Sequence, residues 1–249
     1  MAKVIGITGV AGGIGQALVK EFKSKGFDVI GIDIVENCPD VHYFRCDLTN
    51  EASAISVFAE IKKQFPEISY WYNNAGLAHL GEFLDVSQQE FDQVMKVNFH
   101  SQVVATRFWL PYFQQNGKGV IINMASVAGL VPSGGMSSYV ASKFACVGFT
   151  RSLQIELEAS DSPVRIVLVT PGFVETKIMH IGTKYGFPEK LKGIIATPEN
   201  CAREIVAGIL AGKNDITPTI NGKLMASLYR LPLAGHLPGA VFKKMTKSK

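Results

Sequence analysis

Short apolar runs with little polar alternation recur along this chain, and longer segments of helical periodicity separate them. The runs "VIGIT" (4–8), "DVIGID" (28–33), "HYFRCD" (42–47), "GVIINMAS" (119–126) and "VRIVLVTPG" (164–172) read as strands. So do "ISYWYNNAG" (68–76), a strand with its turn, and "ITPTING" (216–222), a seventh. A strand that is apolar on both sides must be covered on both faces, as in a parallel sheet. Between the runs lie helical patterns over 14–26, 51–65, 88–115 and 138–159. Alternation of strand and helix from the first residues predicts a doubly wound α/β domain, Rossmann-like, with a mostly parallel seven-stranded sheet.

Composition narrows the class. The chain has 249 residues, 47% hydrophobic and 18% charged, with no low-complexity segment or repeat. That suits one sizeable globular domain. The formal net charge is +4, but residues 223–249 hold Lys223, Arg230, Lys243, Lys244, Lys247 and Lys249 and no acid; without those six, 19 basic residues face 21 acidic ones. No basic stripe with interleaved aromatics crosses the body, which argues against nucleic acid. Cys38, Cys46, Cys146 and Cys201 form no CxxC pair and no Cys/His metal spacing, so free thiols in a reducing cytoplasm are expected, with no metal. His42, His79, His100, His180 and His236 suggest no triad. The start "MAKVIGITG" enters a strand without a signal pattern, and the apolar stretch 224–242 is interrupted by Arg230, Pro232, His236 and Pro238, which unsuits it to span a membrane.

The first strand ends in "TGVAGGIG", with Gly9, Gly12, Gly13 and Gly15 opening a helix. Glycine permits a tight turn and a close approach of backbone N–H groups to a pyrophosphate, which the helix N-terminus also favours. A glycine-rich turn alone is also any tight strand-to-helix turn. Asp33 strengthens the nucleotide reading: it ends the second strand, 18 residues past Gly15, where an acid would accept bonds from adenosine ribose hydroxyls. Ile34 and Val35 follow it, and no base precedes Gly13, so NAD is expected rather than NADP.

Tyr139 and Lys143 stand one helical turn apart in "SSYVASKF". That spacing puts a phenol and an ammonium on one face. The pair is either a surface aromatic beside a solvated charge or a unit that exchanges protons. Taken singly, Ser126, Ser137 and Ser138 read as helix caps, and Asn98 and "NNAG" (73–76) as structural hydrogen-bonders.

In order, "TGVAGGIG", Asp47-Leu48, "NNAG", Asn98, Ser126, Tyr139 with Lys143, and Pro171-Gly172 resemble the signatures of the short-chain dehydrogenase/reductase family, over roughly residues 3–222. The resemblance implies that Asn98, Ser126, Tyr139 and Lys143 are catalytic. It implies a dinucleotide held by Gly9, Gly13, Ile14, Gly15, Asp33, Asp47, Leu48, Asn74, Ala75, Gly76, Tyr139, Lys143, Pro171 and Gly172. It also implies a homodimer or homotetramer. Chemistry agrees with these roles. A phenol that trades protons needs its anion stabilised, which an ammonium one turn away does. Ser126 would bond the substrate oxygen. Asn98 would hold a water linking Lys143 to solvent.

On the substrate side, a lid around 173–197 carries Phe173, Val174, Ile178, Met179, Ile181, Tyr185 and Phe187, and Leu77-Ala78 and Leu130-Val131-Pro132 follow strands that end at the same crevice. An apolar alcohol or ketone is expected over a sugar, unless the lid merely packs on itself. Helix 138–159 is too apolar for one stripe, and a partner's helix would cover the rest. The segment 223–249 is read as an appendage to a catalytic domain, 1–222. It is basic and apolar, so it suits an anionic membrane surface; a lid or dimer contact is the preferred reading. Two other functions use the same features: an NADPH-dependent 3-oxoacyl reductase of lipid synthesis, and a non-catalytic nucleotide-binding scaffold.

Overall fold

A computed structural model of the chain describes residues 3–176 and 195–229. Seven strands, all parallel, form one sheet in the order β3-β2-β1-β4-β5-β6-β7. They are β1 (Lys3–Thr8), β2 (Phe27–Asp33), β3 (His42–Arg45), β4 (Ile68–Asn73), β5 (Gly119–Met124), β6 (Val164–Val169) and β7 (Asp215–Ile216). The order reverses between β1 and β4, which opens a crevice beyond their C-terminal ends.

The unalternating runs are explained by two cores. Ile5 and Ile7 of β1 point to one face and pack with Leu18 and Phe22 of α1 (Gly13–Ser24) and Ile205 and Ile209 of α6 (Pro198–Leu210). Val4 points to the other. It joins Phe58 and Ile61 of α2 (Glu51–Gln64), Trp109 and Phe113 of α4 (Ser101–Gln115) and Leu157 of α5 (Ser137–Ala159). The rings of Trp71 and Trp109 stack there at 4.6 Å. Gly6 makes room for them, because a Cβ would sit 2.5 Å from the Trp71 ring.

Three elements depart from the expected pattern. The helix over 88–115 is α3 (Gln88–Met95), started by a Ser87–Glu90 capping box, then a π-turn over Lys96–His100, then α4. The expected seventh strand over 216–222 is cut to β7. The chain turns at Thr219, with φ +77, into α7 (Ile220–Tyr229). Helix α6 has no counterpart in the sequence reading, although Thr197 caps it through Asn200 N and Pro198 fills its first position. Helix α7 runs across the boundary drawn at 222, and carries Leu224, Met225 and Leu228. Of the expected lid and appendage, 177–194 and 230–249 lie outside the described residues, Ile178, Met179, Ile181, Tyr185, Phe187 and Leu231 among them. No described helix is long and apolar enough to cross a membrane.

Removing a ring from the double aromatic layer should cost far more than trimming the surface. Trp109→Ala is expected to lower unfolding free energy by about 3–5 kcal/mol. Leu84→Ala, at a side chain 92% exposed, should stay within about 0.5 kcal/mol. Urea titration followed by far-ultraviolet circular dichroism measures both.

Candidate active site

The glycine turn after β1 is stitched to the turn after β4. Thr8 Oγ1 accepts from the backbone N–H groups of Asn74 and Ala75, both at 3.0 Å, while Asn74 Nδ2 donates to Thr8 O and Gly9 O at 2.9 and 3.1 Å. The two turns lie so close that side chains do not fit between them. Gly9 has φ +72, and a Cβ there would meet Ala75 Cα at 2.7 Å; a Cβ on Gly15 would fall on Gly9 O. Gly12 and Gly13 differ, since their nearest neighbours to a Cβ stand at 3.5 and 3.7 Å, ordinary contact. The chain's own packing does not demand glycine at those two positions, which leaves a bare backbone. Gly12 caps α1 without any side-chain bond, and the first turn holds no acid. The helix therefore begins with N–H groups suited to an anion, and a pyrophosphate fits that chemistry. Ile14, partly buried, packs on the core below.

Asp33 stands beside this turn. Its Oδ2 accepts Ala11 N at 2.9 Å and its Oδ1 accepts Ile34 N at 2.7 Å, so backbone donors aim the carboxylate. The register of β2 and β3 pairs Asp33 with Arg45, which sequence proximity did not reveal. Arg45 Nε donates to Ile34 O at 3.1 Å, and its guanidinium meets Glu36 at 2.7 Å. The base near Asp33 is thus held by an acid of its own. Asp47, exposed, accepts Thr49 N and Oγ1 at 2.9 and 2.8 Å, and Leu48 packs partly on the α2/α4 core.

The other half of the site gathers at the ends of β4, β5 and β6. The π-turn carries Asn98 inward, fully buried. Its Oδ1 accepts Leu77 N at 2.8 Å, and its Nδ2 donates to Leu77 O and to Ser142 Oγ, both at 2.9 Å. Both amide hydrogens are used, so the side chain ties the Leu77 turn to α5 and has no donor left for a water. Lys143, 3% exposed, donates from Nζ to Met124 O at 3.0 Å. Gln102 Nε2 donates to the same carbonyl at 3.0 Å. A Cβ on Gly76 would lie 3.7 Å from Lys143 Nζ and 3.3 Å from Asn98 Oδ1, which places both groups beside the turn after β4. Tyr139, half-buried, lies one turn before Lys143, and the ammonium sits 5.6 Å from its ring centroid.

Ser126 does act as a cap: its Oγ accepts Ala128 N at 3.1 Å over a short 3-10 turn, Val127–Gly129. It also donates to Pro171 O at 3.5 Å. Ser137 and Ser138 do not cap α5 as expected; they lie inside its first turn, their buried hydroxyls without partners among the described residues. Gly172 has a packing reason, since a Cβ there would fall on Asn221 Oδ1. Of the expected apolar wall, Ala78 is buried, Leu130 packs on the core beside Val147, and Val174 is buried against the α1/α6 layer. Leu77, Val131 and Phe173 are half-buried. Burial raises the thiol pKa of Cys46 and Cys146 and pushes Cys201 to about 12, so these cysteines stay protonated and are poor nucleophiles. Among the described residues no group of three or more His, Cys, Asp or Glu could hold a metal ion.

A family model described as short chain dehydrogenase matches residues 3–184. The chain belongs to the short-chain dehydrogenase/reductase family. The CLA biosynthesis dehydrogenase/reductase of Lactiplantibacillus plantarum is 33% identical over 191 residues, covering 72% of this chain and 67% of that one. Epidermal retinol dehydrogenase 2 of Mus musculus is 29% identical over 222 residues, covering 84% and 71%. A family member from Burkholderia phymatum, solved in complex with NAD, shares the fold with TM-score 0.81 at 24% identity, over 92% of each chain. Solved structures of this fold hold either NAD or NADP. The chain is thus an oxidoreductase of a family that binds a nicotinamide nucleotide and a small-molecule substrate.

Asn98→Ala should strand the N–H and C=O of Leu77, while the Ser142 hydroxyl keeps its bond to Tyr139 O. A buried group left unpaired costs about 1–3 kcal/mol, so Asn98→Ala should destabilise by at least that much, and more than Ser142→Ala. Denaturant midpoints of the two variants decide it; equal midpoints would remove Asn98 from its place as the tie between turn and helix.

Proposed function

We propose that the protein transfers a hydride between NAD(H) and an apolar alcohol or ketone, with Tyr139 as the acid/base. The observation that carries this reading is the placement of Tyr139 and Lys143 on one face of α5, with the ammonium buried and oriented by Met124 O. A nicotinamide, when bound, supplies the hydride chemistry. Gly9, Gly13, Ile14 and Gly15 would hold its pyrophosphate side, Asp33, Asp47 and Leu48 the adenosine side, and Asn74, Ala75, Gly76, Pro171 and Gly172 would border its reacting end.

In alcohol oxidation the Tyr139 phenolate takes the hydroxyl proton. The Lys143 ammonium favours that phenolate by its charge, in a setting where little water screens it. One of its three N–H groups is held by Met124 O, so the ammonium does not swing away. Ser126 gives up its longest bond, 3.5 Å to Pro171 O, and donates to the substrate oxygen, where charge develops. The half-buried Leu77, Val131 and Phe173 favour an apolar substrate, as does the likeness to a retinol dehydrogenase. Its four free thiols suit a reducing cytoplasm, and exposed Phe144 and Ile155 on α5 suit a homodimer or homotetramer contact. We assign 1–222 to catalysis, with 173–197 as the lid, and 223–249 to an appendage that serves the lid or the assembly. Lys223 bonding Glu204 of α6 supports contact with the body over contact with a membrane.

Purified protein is screened with alcohols and ketones and with both nucleotides, by nicotinamide absorbance. Tyr139→Phe should lose about 10²–10⁴-fold in kcat, the usual worth of a positioned acid/base, while NADH affinity holds within about twofold. Lys143→Ala should lose both. Turnover near wild type in Tyr139→Phe would remove the phenol from the mechanism.

The nucleotide choice has its own test. Asp33 presents an anion where a 2′-phosphate would sit, and Glu36 occupies Arg45. Wild type should bind NADH more tightly than NADPH. Asp33→Ala should weaken NADH about tenfold or more, the worth of a bond to a charged group. An NADPH-dependent reductase would show the reverse order in titrations of nicotinamide fluorescence.

A further inference from the structure

Thr219 is the one non-glycine residue with positive φ among the described residues that is also buried and β-branched. That conformation is strained for such a side chain, and strain of this kind marks a position held for a purpose. The hydroxyl shows what is held. Thr219 Oγ1 donates to Asn221 Oδ1 at 2.6 Å and accepts Gly222 N at 3.2 Å. Asn221, 3% exposed, then pairs with both backbone groups of one residue: its Oδ1 accepts Phe173 N at 3.1 Å and its Nδ2 donates to Phe173 O at 3.0 Å. The carboxamide works as a single rung of sheet, contributed by the first turn of α7.

What it grips matters. Phe173 directly follows Pro171-Gly172, and Pro171 O accepts Val127 N at 2.9 Å and the Ser126 hydroxyl at 3.5 Å. Phe173 O also accepts Ala196 N at 3.0 Å, and Glu175 N donates to Ala196 O at 2.9 Å. The segments 173–175 and 195–196 are therefore joined to each other, and Asn221 fixes the joint against α7. Gly172 is bare because Asn221 fills the place of its Cβ.

We propose that Thr219 and Asn221 are positioning residues that set Phe173 as part of the substrate wall, so that the start of α7 tunes substrate affinity without touching the reacting atoms. This deepens the hydride-transfer reading and rests on it. An apolar substrate is the chemistry that a half-buried phenyl side chain, on backbone fixed two residues past the Pro171 that Ser126 bonds, recognises.

Thr219→Gly separates this role from a merely structural one. Glycine relieves the positive φ but removes the hydroxyl. With 2-octanol and NAD as the probe pair, KM for the alcohol should rise about tenfold, the worth of a well-made hydrogen bond. Meanwhile kcat should stay within about twofold, and Tm should change little, because the strain relieved at φ +77 offsets the bonds lost to Gly222 N and Asn221. The Phe173 amide should exchange faster with deuterium in the enzyme without nucleotide. Thr219→Ser, which restores the hydroxyl, should restore KM and exchange. Asn221→Asp, which loses the donor to Phe173 O, should repeat the KM rise. An unchanged KM and unchanged Phe173 exchange in Thr219→Gly would overturn the proposal, as would a lowered Tm with unchanged KM. If wild type turns over no alcohol and binds neither nucleotide, the hydride-transfer reading itself fails. The exchange data would then still report whether the hydroxyl holds Phe173.

Discussion

A lysine ammonium buried at the C-terminal edge of the sheet organises the polar interior of this fold. Burying a charge is costly unless hydrogen bonds replace its water. Lys143 finds Met124 O, a strand-end carbonyl shared with Gln102. Around it the interior is polar where a sheet-packed helix would ordinarily be apolar. Ser142, Cys146 and Thr150 follow α5 at four-residue intervals and are all fully buried. Their partners are Asn98 for the first two and Asn123 for the third. Asn123 passes the pattern on to Asn73, and Asn73 to the Trp71 indole. Each donor atom in this network from Ser142 to Trp71 has an acceptor, which is the condition under which a buried polar network rigidifies a core. The catalytic geometry proposed for Tyr139 and Lys143 depends on that rigidity.

How much of this was readable from sequence follows from which signals are local. The central strands were legible because burial on both faces writes an apolar run with little polar alternation. The tyrosine and lysine were legible because four residues is one helical turn. The π-turn was not. Its inserted residue does not interrupt the apolar pattern of 88–115, yet it is what carries Asn98 inward. The stretch 216–222, which read as a seventh strand, does hold β-branched Ile216, Thr217, Thr219 and Ile220. Tertiary contact overrode that propensity: Asn221 and Gly222 pack on Gly172, and the chain bends at Thr219 to bring them there. Arg45 beside Asp33 was invisible for a different reason, since strand register brings together residues twelve apart.

The site as described divides by the kind of bond that builds it. On the side proposed for the nucleotide, backbone presses on backbone at the glycines, and the side chains of Thr8, Asn74 and Asp33 bond the turns in place. Gly9 against Ala75 and Gly15 against Gly9 are contacts with no side chain to trim, so a Cβ at Gly9 would push the turns after β1 and β4 apart, and one at Gly15 would push α1 off its own turn. On the side proposed for the substrate, backbone is held by side chains: Asn98 holds Leu77, Ser126 reaches Pro171, and Asn221 holds Phe173. Such bonds can be exchanged singly, because another side chain can occupy the same place while the sheet stays put. A fold that hosts many chemistries needs this asymmetry. The half proposed for the nucleotide is held at Gly9 and Gly15 by contacts that no side chain can enter. The half proposed for the substrate is set by carboxamides and hydroxyls, which can be replaced one at a time.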